Sequence, residues 1–411
     1  MVERNQTKYV ILVGDGMGDY PLEELGGRTP LEAAETPNMD RVAACGMGRV
    51  RTIPEGMHPG SDVANLSLMG YDPQRFLTGR SPLEAASMGV ELRPDEVAFR
   101  MNLVTLERRS EDEAVITTHS AGDITTEEGR ALVEALRGEL EDGGIALHAG
   151  VAFRHLLVWR DGPQDAQTIP PHDVLEQNVA SYLAAADRDP VAALIRRSWD
   201  LLESHPVNEE RRRRGRSPAT SIWLWGQGRP PAMPSFESRY GLRGGVISAV
   251  DLIKGIGIYA GFHTIPVEGA TGFLDTNYEG KVREALRGLE SEDLIFLHVE
   301  APDEAGHSGH AGTKVTAIER FDARIVGPML DGLDALGVDY RVLVVSDHYT
   351  PIVRRTHTPE PAPFAWARKR ELSEPRPGRP FTEAQAEKSG LLVDPGHGIM
   401  EAFVGGGRGG R

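Results

Sequence analysis

Strand-like runs of hydrophobic residues recur along the chain, and each one leads into acidic or histidine residues. The runs cover residues 9–13, 294–297 and 341–345, and such continuous runs are typical of strands buried on both faces of a parallel sheet. Gly14-Asp15-Gly16 follows the first run, and Ser346-Asp347-His348 follows the third. Because open α/β sheets bind ligands at the carboxyl ends of their strands, we expect these polar side chains to converge.

The second and third runs add further candidate metal ligands. Asp303 and His307 follow the second run with Asp-x-x-x-His spacing, and His357 follows the third. A single Asp at a strand end is commonly a turn or helix-cap residue, so the prediction depends on the combination. Mixed carboxylate and imidazole ligands suit Mn²⁺ or Zn²⁺ better than Ca²⁺, and six ligands are enough for two ions. The predicted ligands are Asp15, Asp303, His307, Asp347, His348 and His357.

A serine near the amino end of the chain is a candidate nucleophile. Pro59-Gly60-Ser61-Asp62 precedes a helix-compatible apolar run, which places Ser61 at a helix N-terminus. Backbone N–H groups there favour an anion such as phosphate. A divalent metal on the Ser61 hydroxyl would favour the nucleophilic alkoxide. The alternative is that Ser61 is an ordinary N-cap, but the neighbouring Asp/His cluster favours the nucleophile.

The positions of these residues predict two domains. The segment from 86 to 217 contains none of the proposed ligands, and it combines helical stretches at 125–140 and 187–202 with a strand-like run at 155–159. We predict a metal-binding core formed by residues 1–85 and 218–411, with residues 86–217 inserted as a substrate-capping domain. The chain would return to the core at residues 221–225, after a basic stretch, Arg211–Arg216, expected on a solvated helix face.

Composition narrows the class of protein. The net charge of −16 argues against a nucleic-acid or membrane surface role. A single cysteine, Cys45, excludes an internal disulfide framework. Residues 1–7 are polar and no long apolar segment follows, so we expect a cytoplasmic enzyme without a signal peptide. An anionic substrate would then need a local cationic pocket, which two metal ions would supply.

Ordered motifs extend over most of the chain. They include Gly14-Asp-Gly-Met17, Thr36-Pro-Asn-Met-Asp40, Pro59-Gly-Ser-Asp-Val-Ala-Asn65, Gly70-Tyr-Asp-Pro73, Arg154-His-Leu-Leu-Val-Trp159, Pro170-Pro-His-Asp173, Asp251-Leu-Ile-Lys254, Gly269-Ala-Thr-Gly272, Ala301-Pro-Asp303-Glu-Ala-Gly-His307 and Ser346-Asp-His348. With these motifs the chain resembles the archaeal-type cofactor-independent (2,3-bisphosphoglycerate-independent) phosphoglycerate mutases of the alkaline phosphatase superfamily. The resemblance implies an α/β fold: an alkaline-phosphatase-like core with a mostly parallel central sheet flanked by helices, plus an inserted α+β cap domain.

The resemblance also implies roles for individual residues. One ion would be bound by Asp15, Ser61, Asp347 and His348, and the other by Asp303, His307 and His357. Ser61 would be the phosphorylated nucleophile, and Lys254 would lie near the transferred phosphate, although a lysine packed along a helix surface is the alternative. Arg154 would bind substrate, with Arg80 and His119 as further candidates. The expected cofactors are two divalent ions, Mn²⁺ first and Zn²⁺, Mg²⁺ or Co²⁺ as alternatives, with no organic cofactor.

Some positions depart from the family pattern. His119-Ser-Ala-Gly-Asp123 stands where Ser-Ala-Gly-His is usual, so one wall of the pocket is expected to differ. The charged, Pro-bearing segment 365–390 is interpreted as a surface loop, and His397 as part of a polar turn.

The implied activity is interconversion of 3-phosphoglycerate and 2-phosphoglycerate, a glycolytic isomerisation, through a phosphoserine intermediate. The expected partner is a small phosphorylated metabolite, with neither nucleic acid nor membrane involved; the sequence leaves the oligomeric state open. Residues 222–228 resemble a bacterial branch proposed as homoserine kinases, so a phosphotransferase of that kind is the alternative, although no Walker-type loop is present. A metal-dependent phosphatase is a third hypothesis. A non-enzymatic binding protein would not need the serine.

Overall fold

The computed structural model describes residues 7–374 and 376–405. The strands are β1 (Thr7–Gly14), β2 (Met47–Val50), β3 (Glu96–Arg108), β4 (Ala114–Thr118), β5 (Ile145–Val151), β6 (Arg154–Arg160), β7 (Ser221–Gly228), β8 (Gly244–Ile247), β9 (His263–Thr264), β10 (Leu294–Val299), β11 (Asp339–Ser346), β12 (Ala362–Arg368) and β13 (Leu392–Val393).

The α-helices are α1 (Pro30–Ala33), α2 (Pro37–Ala43), α3 (Ser61–Leu68), α4 (Pro73–Phe76), α5 (Arg80–Ser87), α6 (Thr126–Leu140), α7 (Ala180–Ala184), α8 (Pro190–Glu203), α9 (Pro206–Arg213), α10 (Phe236–Tyr240), α11 (Asp251–Tyr259), α12 (Tyr278–Gly288), α13 (Ala301–Ser308), α14 (Ala311–Phe321), α15 (Gly327–Leu336), α16 (Lys369–Leu372), α17 (Glu383–Lys388) and α18 (Gly398–Gly405). Short 3₁₀ helices cover Glu23–Leu25, Pro171–Val174 and Ala185–Asp187, and Asp322–Val326 is a π-helical turn. None of the described helices combines the length and the apolar character that a membrane span requires.

The chain forms two compact units. The core unit comprises Met1–Leu77 and Ala232–Arg411, and the inserted unit comprises Thr78–Pro231. The core unit contains an eight-stranded sheet of order β13-β2-β12-β11-β1-β10-β8-β9. The strands β11, β1, β10 and β8 are parallel neighbours, whereas β12 runs antiparallel to β11 and to β2. The predicted α/β class with a mostly parallel sheet is therefore confirmed.

Both faces of this sheet are covered. Val10 and Leu12 on β1 pack into a core with residues of α2, α12, α14 and α15. On the opposite face, the ring of Tyr9 contacts that of Phe403 on α18, with centroids 5.8 Å apart. Because β1 is buried on both sides, its sequence shows a continuous apolar run instead of alternation.

The inserted unit has a separate sheet and core. Its long strand β3 pairs antiparallel with β4, β6 and β7, and β5 pairs with β6. Apolar residues of α6 and α8 pack with Phe99 and Trp223 of this sheet. Thr125 is the N-cap of α6, and its capping box is completed by Glu128.

The structure corrects three predictions about this organisation. Strand β7, which was predicted to return to the core sheet, pairs with β3, so the inserted unit runs from residue 78 to 231 instead of from 86 to 217. Arg211 in the basic stretch is buried, and its guanidinium bonds Glu128 and the carbonyls of Ala121, Gly122 and Ser217. Segment 365–390 is only partly a surface loop, because its first residues form β12 in the core sheet.

Candidate metal centre and active site

Two neighbouring strands deliver the first ligands to one edge of the core sheet. In the parallel pairing of β1 with β11, Gly14 lies opposite Ser346, so Asp15 and Asp347 leave the sheet together. The N–H groups of Gly16 and His348 both donate to Asp347 Oδ1, each at 2.9 Å. These bonds fix one oxygen of the carboxylate.

Gly16 is required by the turn that carries Asp15. It adopts a left-handed conformation with φ of +61°, and an added Cβ would lie 2.4 Å from Thr350 Oγ1 and 2.7 Å from Asp303 Oδ1. A side chain here would be strained and would displace Asp303. The Gly-Asp-Gly turn therefore brings the backbone directly against the site.

Asp303 and His307 lie one turn apart on helix α13, not at the strand end itself as the spacing had suggested. Strand β10 ends at Val299, and Pro302 lies in the first turn of the helix. The i, i+4 spacing places His307 Nε2 3.2 Å from Asp303 Oδ2. His357 completes this group, with its Nε2 3.0 Å from His307 Nε2 and 3.4 Å from Asp303 Oδ1.

Ser61 is the first residue of α3, and its hydroxyl does not cap the helix. The N-cap is Gly60, which makes no side-chain cap bond. Instead, Ser61 Oγ lies 3.0 Å from His348 Nε2. The same nitrogen is 3.4 Å from Asp15 Oδ1 and 3.5 Å from Asp347 Oδ2. The structure thus contradicts the N-cap alternative and brings Ser61 to the cluster.

The electrostatics of the cluster fit divalent cations. Burial, and then repulsion from Asp347 and Asp303, raises the pKa of Asp15 well above its usual range. Asp15 Oδ1 is buried and receives no hydrogen bond within residues 7–374 and 376–405. A bound cation would both satisfy this oxygen and relieve the repulsion between the carboxylates.

Hydrogen bonds, not repulsion, dominate around Asp303, His307 and His357. Burial acts to raise the pKa of Asp303, but hydrogen bonds from His307 and His357 outweigh it and hold the pKa well below its usual range. His307 Nδ1 lies 3.0 Å from the carbonyl of Arg355, to which it can only donate. A histidine that donates from Nδ1 in this way presents Nε2 to a metal.

The potential ligand atoms form three overlapping groups, each within 4.8 Å. The groups are Asp303 with His307 and His357, Asp15 with His298 and Asp347, and Asp15 with Asp303 and His348. Every side chain predicted as a ligand from the sequence, other than Ser61, appears in at least one of them.

Three neighbours of the cluster were missed from the sequence. Asn65 donates to Asp347 Oδ2 at 2.8 Å, His298 Nε2 lies 3.0 Å from Asp15 Oδ2, and the Thr350 hydroxyl donates to Asp303 Oδ1 at 2.5 Å. Two of the three residues, Asn65 and His298, have sequence positions from which a place near the cluster could have been predicted. Asn65 is one helical turn after Ser61, and His298 ends the apolar run of β10. No sequence feature predicts a role for Thr350, because a threonine shortly after Asp347-His348 is not typical of any particular site.

Lys254 lies on α11, which packs beside α3 in the core unit. Its Nζ donates to Asp251 Oδ1 at 3.0 Å, and about a quarter of the side chain is exposed (27%). His397, expected in a polar turn, lies in the turn before α18.

The predicted substrate residues Arg154, Arg80 and His119 all belong to the inserted unit. The Arg154 guanidinium and the His119 ring both pack on the Phe153 ring. Their distances to its centroid are 5.5 Å from the guanidinium carbon and 5.7 Å from the His119 centroid. The His119 ring also contacts the His172 ring, with centroids 6.4 Å apart, and the centroids of the His172 and Trp225 rings are 5.4 Å apart.

Two guanidinium groups lie over the Trp225 ring. The guanidinium carbon of Arg80 is 6.0 Å from the ring centroid, and that of Arg100, a residue missed from the sequence, is 4.6 Å from it. Ring contacts therefore link the three predicted residues in one patch.

Comparison with known proteins places this arrangement in a family. A protein from Geobacter sulfurreducens named probable 2,3-bisphosphoglycerate-independent phosphoglycerate mutase is 50% identical over 97% of this chain and 99% of its own length. The chain belongs to the 2,3-bisphosphoglycerate-independent phosphoglycerate mutase family. The family's sequence model matches residues 43–208, and that of type I phosphodiesterases and nucleotide pyrophosphatases matches residues 179–384.

Two solved structures share the fold of this chain. A protein from Pyrococcus horikoshii superposes with a TM-score of 0.81 at 30% identity, over 98% of both chains. The cofactor-independent phosphoglycerate mutase of Thermoplasma acidophilum superposes with a TM-score of 0.63 at 25% identity, over 97% of this chain and 99% of that one. The fold is therefore shared with a cofactor-independent phosphoglycerate mutase over nearly the full length of both chains.

Proposed function

We propose that this chain interconverts 3-phosphoglycerate and 2-phosphoglycerate through a phosphoserine at Ser61. The observation that carries the proposal is the position of the Ser61 hydroxyl, at the first turn of α3 and 3.0 Å from His348 Nε2 in a buried Asp/His cluster. A binding protein would have no use for a hydroxyl in this position. Membership of the mutase family supports the same conclusion.

We propose two sets of residues as the ligands of the two ions. Asp15, Ser61, Asp347 and His348 would hold one, and Asp303, His307 and His357 the other. When bound, such ions lower the pKa of the serine hydroxyl and offset charge on the phosphoryl oxygens. The imidazole nitrogens in both sets favour Mn²⁺, Zn²⁺ or Co²⁺ over Ca²⁺, which prefers oxygen ligands. Mn²⁺ is the ion that we propose.

The chemistry then needs two phosphoryl transfers. In the first, Ser61 Oγ gives up its proton and bonds the phosphorus of 3-phosphoglycerate, the bond from phosphorus to O3 breaks, and O3 takes up one proton to balance the one lost from the serine. The glycerate reorients without leaving. In the second, O2 bonds the phosphorus, the bond to Ser61 Oγ breaks, and the proton lost from O2 balances the one that returns to the serine. The N–H groups at the start of α3 favour the phosphoryl group at this position.

We propose that the inserted unit binds the glycerate part of the substrate. Arg154 and Arg80 suit its carboxylate because a guanidinium makes paired bonds to carboxylates. His119 shares the Phe153 ring with Arg154 and is proposed to act beside it. Lys254 is proposed to approach the transferred phosphoryl group. A cytoplasmic location, a small phosphorylated metabolite as the substrate without nucleic acid or membrane, and the lack of an organic cofactor stay predictions from the sequence.

Phosphorus NMR tests this activity directly. Purified protein with Mn²⁺ is incubated with 3-phosphoglycerate, and in a parallel reaction with ATP and homoserine. The proposal predicts a 2-phosphoglycerate resonance in the first reaction and no phosphohomoserine in the second. The opposite pattern would favour the kinase alternative, and release of inorganic phosphate alone would favour a phosphatase.

A further inference from the structure

The hydroxyl of Thr350 connects two residues that we assigned to different ions. It donates to Asp303 Oδ1 at 2.5 Å and lies 3.2 Å from His348 Nδ1. Thr350 is completely buried, as is His348. Water therefore does not compete for these contacts.

The backbone and methyl group of Thr350 are held as firmly as its hydroxyl. Its N–H donates to the Gly18 carbonyl at 3.1 Å, and its own carbonyl accepts from Lys314 Nζ at 2.9 Å. Lys314 is itself buried and paired with Asp19 at 2.8 Å. The Thr350 methyl packs against Gly306, where an added Cβ would lie 2.9 Å from it. Every part of the residue is thus fixed relative to α13 and to the turn after β1.

The number of protons determines how these groups bond. A threonine hydroxyl has one proton, and an ionised carboxylate can only accept. If the proton is given to Asp303, the contact to His348 requires Nδ1–H to donate to Thr350 Oγ1. His348 Nε2 then carries a lone pair directed at Ser61 Oγ and Asp15. A metal-ligating histidine needs this arrangement, with the second ring nitrogen bonded outward.

We propose that Thr350 is a positioning residue that holds His348 in the Nδ1–H tautomer and couples it to Asp303. This inference rests on the metal binding proposed above. It assigns to Thr350 a role in both proposed sites, although it is a ligand in neither.

Two substitutions separate the hydroxyl from the methyl group. Thr350→Val keeps the methyl packing against Gly306 and removes the hydroxyl, whereas Thr350→Ser keeps the hydroxyl and removes the methyl. Thr316→Val is the matched control, because the half-buried Thr316 donates its hydroxyl to the Gly312 carbonyl one turn earlier in its own helix.

Metal affinity measured on the full chain tests the inference without relying on turnover. Mn²⁺ and Zn²⁺ are titrated into the metal-free proteins in competition with a chromophoric chelator. We expect wild type and Thr316→Val to bind two ions, and Thr350→Ser to bind them within about threefold of wild type. Thr350→Val should lose about tenfold or more in affinity, the loss typical of a deleted partner of a ligating histidine.

The outcomes are distinguishable. Equal affinity of Thr350→Val and wild type would overturn the role of Thr350 while leaving the two-ion site intact. Failure of wild type to bind either ion would overturn the proposed site and this inference with it. If Thr350→Val does not fold, ¹⁵N-histidine NMR of the Zn²⁺-loaded wild type decides, with the His348 signals identified by their loss in His348→Gln. A proton on Nδ1 supports the proposal, and a proton on Nε2 contradicts it.

Discussion

Ser61 Oγ and His348 Nε2 lie 3.0 Å apart, although 287 positions separate the two residues along the chain. Ser61 begins a helix, and His348 follows the strand β11. The contact places a hydroxyl beside a nitrogen that can bind a metal, and a hydroxyl that coordinates such a metal is activated as a nucleophile. The predictions below test the parts of this arrangement separately.

Substitution of Asp303 or His307 should remove metal without unfolding the protein. Both side chains lie on α13 and contribute to one ligand group, so Asp303→Asn or His307→Ala leaves the sheet core unchanged. We expect turnover to fall by at least about tenfold, since loss of a ligand should cost no less than loss of its supporting partner. Metal content is measured by elemental analysis and folding by circular dichroism. Asp331→Asn, an exposed substitution on α15, is the control, and near-normal turnover in both site variants would contradict the assignment.

Chelation should abolish turnover reversibly. After exhaustive dialysis against chelator, we expect no interconversion of 3- and 2-phosphoglycerate. Added Mn²⁺ should restore turnover better than Ca²⁺, because the site offers imidazole nitrogens as well as carboxylates. Full activity in protein shown by elemental analysis to contain no metal would contradict the two-ion account.

Loss of Arg154 should weaken substrate binding. Its side chain is exposed and packs on Phe153 beside His119, so Arg154→Ala removes a charge without opening a core. A charged hydrogen bond contributes about 1.5–3 kcal/mol, which corresponds to a rise in KM of at least about tenfold. Steady-state kinetics with 3-phosphoglycerate measure this rise. Arg130→Ala, an exposed arginine on α6, should leave KM unchanged, and an unchanged KM in Arg154→Ala as well would remove Arg154 from the substrate site.

The stability of the metal-free protein should depend on Glu383 in a defined pH window. Burial raises the pKa of Glu383 from 4.5 to about 7, while Thr29 Oγ1 and the Asp19 N–H donate to its carboxylate. Because the pKa of Glu383 is higher in the folded state than in the unfolded state, the protonated carboxyl group stabilises the fold. This contribution to stability is complete below pH 4.5 and is lost as pH rises through 7. The wild-type protein therefore loses stability as pH rises, and Glu383→Gln does not. The free energy of unfolding of Glu383→Gln minus that of wild type should increase by on the order of 2 kcal/mol as pH rises from 4.5 to 8.

Urea unfolding at the two ends of this window measures the effect. Glu387→Gln is the control, since Glu387 is on the same helix but its side chain is 67% exposed. A difference between wild type and Glu383→Gln that stays constant with pH would show that Glu383 titrates normally.

The sequence predicted the parts of this protein that depend on local pattern. The apolar runs of β1, β10 and β11 and the polar residues after them placed the ligands near one sheet edge, because parallel neighbouring strands end together. The helix start at Ser61 was predicted from Pro-Gly-Ser-Asp, and the structure places it as expected.

The remaining features depend on contacts that local pattern does not encode. The apolar run of β7 would suit a buried strand in either sheet, and only its pairing with β3 assigns it to the inserted unit. Strand β12 was missed because its apolar residues lie beside a charged, Pro-bearing segment. Thr350 acquires its position through Gly18, Lys314 and Asp303, which are distant in sequence.

Trapping the phosphoenzyme tests the central claim most directly. Wild type, Ser61→Ala and the exposed control Ser373→Ala are quenched during turnover of 3-phosphoglycerate and analysed by mass spectrometry. We predict phosphate on Ser61 in wild type and in Ser373→Ala, and complete loss of interconversion in Ser61→Ala even at saturating Mn²⁺. An alanine variant that still interconverts 3- and 2-phosphoglycerate, together with no phosphoserine at position 61 in wild type, would contradict the mechanism.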